Sequence, residues 1–378
     1  MSVSCHVWLT SVAVTHGGIQ RYSMSLLAAL SQAWPEPEYE VFLKNDRTSD
    51  VRLSGMRVHG TGGLPHPMRM PAFAAILAAR TLIDRPQLIV VGHLNFAAML
   101  DGLRRPRIPF WIVTHGIEAW GVERPALRRA LARAECVVSV SRYTAQRLID
   151  EQGLDPARIA LLPGTFDPER FRPRERSPAL MARLGLEPGQ PVLLTVARLA
   201  GRERYKGYDL VLDALPAIRG RIPELHYVLV GEGYDRARIE ARIRALGLDG
   251  CVTLVGSVPD ADLPDYYGLC TAFAMPGKRE GLGIVYLEAM ACGKPVIAGD
   301  RDGARDALLD GELGVLVDPD DVAGFADAAV EVLRGTHPNR SIFDPAGLRR
   351  RVIESFGPDR FRERLEQILD TRGVRERR

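Results

Sequence analysis

The chain lacks several features that would place it in a membrane or secreted class. It contains no run of about 18 uninterrupted apolar residues, so no transmembrane helix is predicted. It has no C-x-x-C pair and an odd number of cysteines, namely Cys5, Cys136, Cys251, Cys270 and Cys292. Three of them lie inside apolar runs, which predicts buried free thiols in a reducing compartment. The N-terminus has no basic region ahead of its apolar stretch, so we expect no signal peptide and a cytoplasmic protein.

An excess of charge of one sign is also missing. The 378 residues include 50 basic and 47 acidic side chains, a balance that does not indicate a nucleic-acid partner. Only four of the basic residues are lysines, namely Lys44, Lys206, Lys278 and Lys294. A hydrophobic fraction of 46% and a charged fraction of 26% are typical of a soluble globular protein. The length exceeds one ordinary hydrophobic core, so we expect two domains.

Short apolar runs alternate with helical patterns in the first half of the chain, which is typical of βαβ units and a parallel sheet. Val3–Val14 predicts the first strand and its exit, followed by a glycine turn and a helix over Ser23–Ala33. We also predict a strand over Val51–Val58 and a helix over Phe96–Leu103. The glycine turn does not have the G-x-G-x-x-G spacing, so the dinucleotide-binding fingerprint is absent.

A stiff, proline-rich connection runs from Pro163 to Pro168, with more prolines beyond it. We place a domain boundary there, because the strand and helix alternation starts again in the second half. The predicted domains are 1–165 and 166–355, followed by a C-terminal helix and tail over 356–378. Two parallel-sheet domains in tandem are expected to bind a shared ligand in the cleft between them, at the carboxyl ends of strands.

The most informative stretch is EGLGIVYLEAMACGKP, from Glu280 to Pro295. The apolar run Ile284–Met290 predicts a helix, and Gly293 with Pro295 predicts its end. Gly281 and Gly283 come just ahead of the first turn. There, free N–H groups and the positive end of the helix dipole favour a phosphate.

Two carboxylates flank this predicted anion site. Glu280 lies in the loop beside it, and Glu288 lies about one turn into the helix. A nucleotide diphosphate-sugar has phosphates for the helix start and hydroxyls for both carboxylates. The stretch therefore predicts a nucleotide-sugar site.

The order of these motifs resembles that of family 4 glycosyltransferases, which have the GT-B fold. The residues that carry the resemblance are His16-Gly17-Gly18, His115-Gly116, the Ser141 turn, Arg198, Lys206-Gly207, Gly256 and the Glu280–Pro295 block. The resemblance covers nearly the whole chain, and the last block is its most specific part. It implies an α/β fold with two Rossmann-like parallel-sheet domains facing across a cleft, and a C-terminal helix crossing back to the first domain.

The resemblance also implies an activity. It is the transfer of a hexose, with retention of configuration, from a nucleotide-diphosphate sugar to a hydroxyl of a glycan or lipid-linked acceptor. Such reactions belong to cell-envelope or polysaccharide biosynthesis, and no metal or other cofactor is expected. GDP-mannose is the favoured donor, on family analogy alone.

The roles implied for individual residues fall into three groups. The catalytic group is His115, Arg198, Lys206 and Glu280. Donor binding is implied for Gly17, Gly18, Gly281, Leu282, Gly283 and Glu288, and acceptor binding for His16. Paired cations such as Arg198 and Lys206 would stabilise the charge that develops on the leaving phosphate.

The sequence departs from the family pattern in three places. Arg198 and Lys206 are eight residues apart, longer than the commonest spacing, so Arg202 or Arg204 could share the phosphate role. Leu282 stands where Phe is common, and Gly303-Ala304-Arg305-Asp306 stands where Gly-Gly and a Glu are often seen. These differences leave the donor open more than the reaction class.

Other interpretations remain open at this point. Taken singly, Glu280, Glu288, Arg198 and Lys206 could be ordinary surface charges, and His115 could be structural. A nucleotide-sugar epimerase of the same fold would release free nucleotide without an acceptor. A phosphorylase would need a pyridoxal-bearing lysine, and the chain has few to offer. A non-catalytic two-lobed binding protein would need a secretion signal.

A basic helix is predicted in the first domain. Residues 1–165 hold 18 basic and 13 acidic side chains, and four arginines fall on one side of the helix, namely Arg124, Arg128, Arg129 and Arg133. Leu127, Ala130 and Leu131 lie opposite. Such a helix favours peripheral docking to an anionic membrane, although a solvated arginine face over the core gives the same pattern.

Overall fold

The structure is a computed structural model that describes residues 3–13, 17–101 and 108–376. The chain divides into two compact units. One comprises Met1–Thr165 with Pro358–Arg378, and the other comprises Phe166–Gly357.

The first unit is built on a parallel sheet of seven strands. They are β1 (Ser4–Leu9), β2 (Glu38–Leu43), β3 (Met56–Gly60), β4 (Leu88–Val91), β5 (Phe110–Thr114), β6 (Cys136–Ser139) and β7 (Ile159–Leu161). The strand order is β3-β2-β1-β4-β5-β6-β7, so the direction of winding reverses between β1 and β4. A reversal of this kind leaves a crevice at the carboxyl ends of the two strands, where α/β proteins bind ligands.

Four helices connect these strands. They are α1 (Gly18–Ala33), α2 (His66–Asp84), α3 (Pro125–Arg133) and α4 (Arg142–Gln152). Phe73 and Leu77 of α2 and Leu127 and Leu131 of α3 share one buried cluster with the strands. The helices α2 and α3 therefore cover the same face of the sheet. As predicted, Arg128 and Arg129 are exposed on α3, while Leu127, Ala130 and Leu131 are buried.

Three predicted elements of this unit have different bounds in the structure. The predicted strand Val51–Val58 is wrong before Met56, because Thr48–Asp50 forms a 3-10 turn and Gly55 has a φ of +71°. The predicted helix Phe96–Leu103 is a 3-10 helix over Leu94–Asp101, and its last residues lie outside the described part of the chain.

The third difference concerns the glycine turn after β1. The helix α1 begins at Gly18 rather than at Ser23, because the carbonyl of Gly17 already accepts the N–H of Arg21 at 3.1 Å. The two glycines therefore open the helix instead of forming a separate turn.

The second unit repeats the plan with six parallel strands. They are β8 (Val192–Val196), β9 (His226–Val230), β10 (Val252–Gly256), β11 (Ala272–Met275), β12 (Val296–Gly299) and β13 (Val315–Val317). Their order is β10-β9-β8-β11-β12-β13. Nearly every residue of β8, β9, β11 and β12 is buried, as expected for a sheet covered on both faces.

Eight helices belong to the second unit. They are α5 (Pro178–Leu184), α6 (Tyr208–Arg219), α7 (Arg236–Ala245), α8 (Leu263–Leu269), α9 (Ile284–Ala291), α10 (Ala304–Ala307), α11 (Val322–Leu333) and α12 (Pro345–Phe356). The predicted helix at Ile284 is confirmed as α9, and Gly293 follows its end with a φ of +71°.

The last helix, α13 (Pro358–Thr371), returns to the first unit. It packs on α1, where the ring of Phe361 meets the ring of Tyr22 edge to face at 5.5 Å. This confirms the expected C-terminal helix that crosses back. All five cysteines are buried and free, as predicted. Among the described residues, no helix is both long enough and apolar enough to span a bilayer.

Candidate active site

The start of α9 has the geometry that the sequence predicted for an anion site. Gly283 is its N-cap residue, with a φ of +86°. A Cβ there would lie 2.3 Å from the ring of Tyr286, so only glycine fits. The Tyr286 N–H donates to the carbonyl of Gly283 at 3.0 Å. The described side chains make no capping bond to this helix start, so the N–H groups ahead of Tyr286 can serve a ligand. The Leu282 side chain is buried, so Leu282 offers a ligand its backbone only.

Three loops at the carboxyl ends of β8, β11 and β12 pack backbone against backbone beside this helix start. A Cβ on Gly207 would lie 2.2 Å from the carbonyl oxygen of Pro276. A Cβ on Gly299 would lie 1.8 Å from the carbonyl oxygen of Gly277. Glycine at these positions allows the close approach, and the loops fix one another in place.

Lys206 and Glu280 meet where two of these loops touch. The Lys206 Nζ lies 2.5 Å from Glu280 Oε1, and both side chains are largely buried. Burial, the largest single influence, would lower the pKa of Lys206, but the Glu280 carboxylate, with smaller contributions from Tyr205 and Glu203, raises it overall, so the ammonium stays charged. The structure thus brings together two of the residues predicted to contact the donor.

Tyr205 is a neighbour that sequence reasoning missed. The ammonium of Lys206 lies 5.5 Å from the centre of its ring, within the range of a cation–π contact. Burial raises the pKa of Tyr205 to about 12, and nearby charges on Lys206, Glu280, Glu203 and Arg198 also act on it. The ring therefore lies within a cluster of four charged side chains.

Arg198 is the most exposed of the predicted site residues in this unit, with 72% of its side chain accessible. Its Nε lies 3.0 Å from Oε1 of Glu203, an acid carried by the insert between Arg198 and Lys206. Arg204, from the same insert, pairs with Asp235 at 3.3 Å. The suggestion that Arg204 shares the phosphate role stays a prediction, and the Arg202 side chain is outside the description.

Asp302 is a second residue that sequence reasoning missed. It follows β12 and is fully buried, and its carboxylate accepts the N–H of Glu280 at 2.7 Å and of Ala304 at 2.9 Å. Burial raises the pKa of Asp302 to about 7, and the nearby Glu280 carboxylate adds to the rise. The signal in the sequence was a carboxylate in the loop three residues after a buried strand, with Gly303 following it.

Glu288 is more deeply buried than the other residues of this unit that are predicted to bind the donor. Its side chain is fully buried on α9, and Oε2 accepts a hydrogen bond from the Tyr267 hydroxyl at 2.9 Å. The role of Glu288 toward a ribose stays a prediction.

In the first unit, His115 comes directly after β5, at the carboxyl end of the parallel sheet. Its Nε2 donates to the carbonyl of Gly92 at 2.8 Å, since a carbonyl can only accept. In the neutral ring Nδ1 is then an acceptor suited to a hydroxyl. The backbone N–H of His115 donates to Glu118 at 2.5 Å, and Tyr22 packs against the ring.

His93 is a neighbour of His115 that sequence reasoning missed. Its ring centre lies 6.3 Å from that of His115, and it follows β4 just as His115 follows β5. Burial lowers the pKa of His93, and the Glu118 carboxylate opposes the change. Two imidazoles thus share one end of the sheet, with Gly17 and Gly18 at the start of α1 in the same unit. The predicted acceptor residue His16 lies outside the described residues.

Two parallel α/β sheets, an uncapped helix start with a buried lysine, and a strand-end histidine define a protein of the GT-B type. Comparison with known proteins supports this class. The model for "Glycosyltransferase Family 4" matches residues 16–170, and the model for "Glycosyl transferases group 1" matches residues 177–354.

The chain belongs to this family, and it is a glycosyltransferase. A GDP-mannose-dependent α-(1-6)-phosphatidylinositol monomannoside mannosyltransferase of Mycolicibacterium smegmatis is 38% identical over 84% of this chain and 86% of its own length. A related mannosyltransferase of Corynebacterium glutamicum, named for a monoacylated form of that acceptor, is 28% identical over 94% of each chain. The sucrose-phosphate synthase structure from Thermosynechococcus elongatus has a TM-score of 0.80 at 23% identity and covers 98% of both chains. At that identity the likeness shows the fold alone.

Proposed function

We propose that the protein is a retaining mannosyltransferase that uses GDP-mannose. The observation that carries the proposal is the buried Lys206–Glu280 pair beside the uncapped start of α9. The pair provides a cation for the diphosphate and a carboxylate for the sugar hydroxyls. The start of α9 provides backbone amides for the phosphate oxygens. The names of the mannosyltransferases at 38% and 28% identity support the choice of donor.

In this proposal each residue acts without a metal or other cofactor. Lys206 and Arg198 stabilise the negative charge on the departing diphosphate. Glu280 orients the sugar, and Nδ1 of His115 accepts a hydrogen bond from a sugar hydroxyl. In this mechanism the Glu118 carboxylate stays bound to the backbone N–H of His115 and does not attack the sugar. The acceptor hydroxyl attacks the face that the phosphate leaves, and the phosphate takes its proton. Retention of configuration follows.

The acceptor that we propose is a phosphoinositol-based lipid of the cell envelope, already bearing mannose. The names of the two mannosyltransferases support this class of acceptor. The experiment is a thermal-shift screen with GDP-mannose, GDP, UDP-glucose and UDP, followed by a transfer assay. We expect GDP and GDP-mannose to stabilise the protein selectively and mannose to reach the lipid. Stabilisation by the UDP ligands alone would reject the donor, and stabilisation by none of the four would reject the proposal.

We further propose that the protein acts at the cytoplasmic face of an anionic membrane, without spanning it. Helices α2 and α3 share one face of the first sheet, and each exposes a different feature. The outer side of α2 exposes Met68, Leu82 and Ile83 at 54%, 51% and 71%. The outer side of α3 exposes arginines. Exposed apolar side chains beside cations match a surface of anionic lipid.

Sedimentation with vesicles containing anionic phospholipid tests the membrane proposal. Binding should be lost in high salt and in Arg128→Glu/Arg129→Glu, and should weaken in Leu82→Ser/Ile83→Ser. The matched control is Arg172→Glu/Arg350→Glu, which reverses two exposed charges of the second unit. Equal binding by all three variants would remove the membrane from the proposal.

A further inference from the structure

The backbone of Glu280 is held from two sides by the loop that follows β12. Asp302 accepts the N–H of Glu280 at 2.7 Å, and the carbonyl of Glu280 accepts the N–H of Gly303 at 2.9 Å. Both polar groups of this peptide unit are thus bound by adjacent residues. Because the backbone is held, the Glu280 carboxylate can move only by rotation about the side-chain bonds of Glu280.

The contact is too close for any side chain at position 303. A Cβ on Gly303 would lie 2.0 Å from the carbonyl oxygen of Gly281 and 2.9 Å from that of Glu280. Asp302 is fully buried, and its other oxygen accepts the N–H of Ala304. The same carboxylate therefore fixes its own loop and the loop that carries Glu280.

We propose that Asp302 is a positioning residue for Glu280, which it aims at the donor sugar by holding the Glu280 backbone. The proposal rests on the proposed function, since it assumes that Glu280 contacts the sugar. Asp302 itself touches no substrate in this assignment. Asp302 affects donor binding only by fixing the position of Glu280.

Titratable groups from three other segments lie close enough to interact electrostatically with Asp302. Glu280 and Lys206 act on it from the neighbouring loops, and its own charge acts on the buried Tyr286 of α9. Only the ionised carboxylate accepts both N–H groups with two unprotonated oxygens. Because burial raises the pKa of Asp302 to about 7, protonation just below neutral pH weakens the hold on Glu280.

A double-mutant cycle on the dissociation constant of GDP-mannose tests the proposal. Loss of one charge-assisted hydrogen bond predicts that Asp302→Asn weakens binding by about tenfold or more. In a Glu280→Gln background, the same change should weaken binding by less than about threefold, because the residue it positions is already disabled. A general structural effect would instead weaken binding by the same factor in both backgrounds.

The matched control is Asp321→Asn. Asp321 also accepts a backbone N–H, that of Gly324 at 2.9 Å, and in doing so it caps α11. We expect unchanged binding of GDP-mannose in this variant. If Asp302→Asn does not fold, the pH dependence of GDP-mannose binding by the wild-type chain tests the proposal instead.

The wild-type chain provides a measurement that needs no variant. The diphosphate of GDP-mannose is a diester and does not titrate near neutral pH. Binding should therefore be weaker at about pH 6 than at about pH 8. Equal affinity at both pH values, or multiplicative losses in the cycle, would overturn the role of Asp302. Failure of the wild-type chain to bind GDP-mannose would instead reject the proposed donor.

Discussion

The ammonium of Lys206 lies 2.5 Å from Oε1 of Glu280, with both side chains largely buried. Two groups of opposite charge, each predicted to contact the donor, therefore neutralise one another. A buried charge without a partner is costly, so each of the two charges stabilises the other. In the proposed function, a diphosphate then replaces Glu280 as the partner of Lys206, which leaves Glu280 to the sugar hydroxyls.

Replacing Lys206 with methionine should abolish most transfer while the fold is kept. The variant removes the cation that meets the leaving phosphate, and losses of about 100-fold or more in kcat/KM are typical for such groups. Activity is compared with that of Lys278→Met, whose ammonium pairs with Asp320 at the surface. Circular dichroism checks the fold. Wild-type turnover in Lys206→Met would contradict the site assignment.

Glu203→Gln should strengthen donor binding. In the structure Glu203 neutralises Arg198, so a diphosphate has to displace this carboxylate before it can reach the guanidinium. Removing the charge should lower the dissociation constant of GDP-mannose by about two- to fivefold, the worth of a partly exposed ion pair. Glu240→Gln, which loses an ion pair with Arg236 on α7, provides the comparison. A weaker affinity in Glu203→Gln would show that this acid contacts the ligand directly.

Asp302 should make the protein less stable as the pH rises. Its pKa is about 7 in the folded chain against 3.8 for the free side chain, so between these values the folded state binds more protons than the unfolded state. The free energy of unfolding therefore falls across this window, by up to about 4 kcal/mol. Urea unfolding of wild type and Asp302→Asn at several pH values measures the difference, and a constant difference would contradict the prediction.

His6 should have the opposite dependence on pH. It is fully buried on β1, 3.3 Å from a carboxylate oxygen of Asp84. Burial lowers its pKa from 6.5 to about 4, although the charges of Asp84 and Glu40 oppose the change. Between these values the unfolded state binds more protons.

Acidification through this window should therefore reduce the free energy of unfolding, by up to about 3 kcal/mol. The comparison is with His6→Gln, which does not titrate there. The unfolding curves of the two proteins should separate less at pH 5 than at pH 7.5 (about one unit either side of the free value). A gap that widens on acidification would show that the Asp84 ion pair dominates over burial.

The sequence was sufficient to predict α9 because all of its signals are local. The two glycines ahead of it, the apolar run and Gly293 behind it are read from one short stretch. Helix α3 was predicted for the same reason. The tandem parallel sheets followed from the alternation of strands and helices, which needs no knowledge of which strands are neighbours.

The residues that were missed act through contacts between distant segments. Asp302 meets Glu280 only because β11 and β12 are adjacent in the sheet, and His93 meets His115 because β4 and β5 are adjacent. Strand pairing and loop geometry of this kind are not encoded in any single window. The wrong start of β3 has a local cause that was overlooked, since Gly55 needs a left-handed backbone.

The return of α13 to the first unit has a consequence for the order in which the protein is made. The ring of Phe361 that packs on Tyr22 follows the whole second unit along the chain. The first unit therefore gains this partner only after all residues of the second unit have been synthesised.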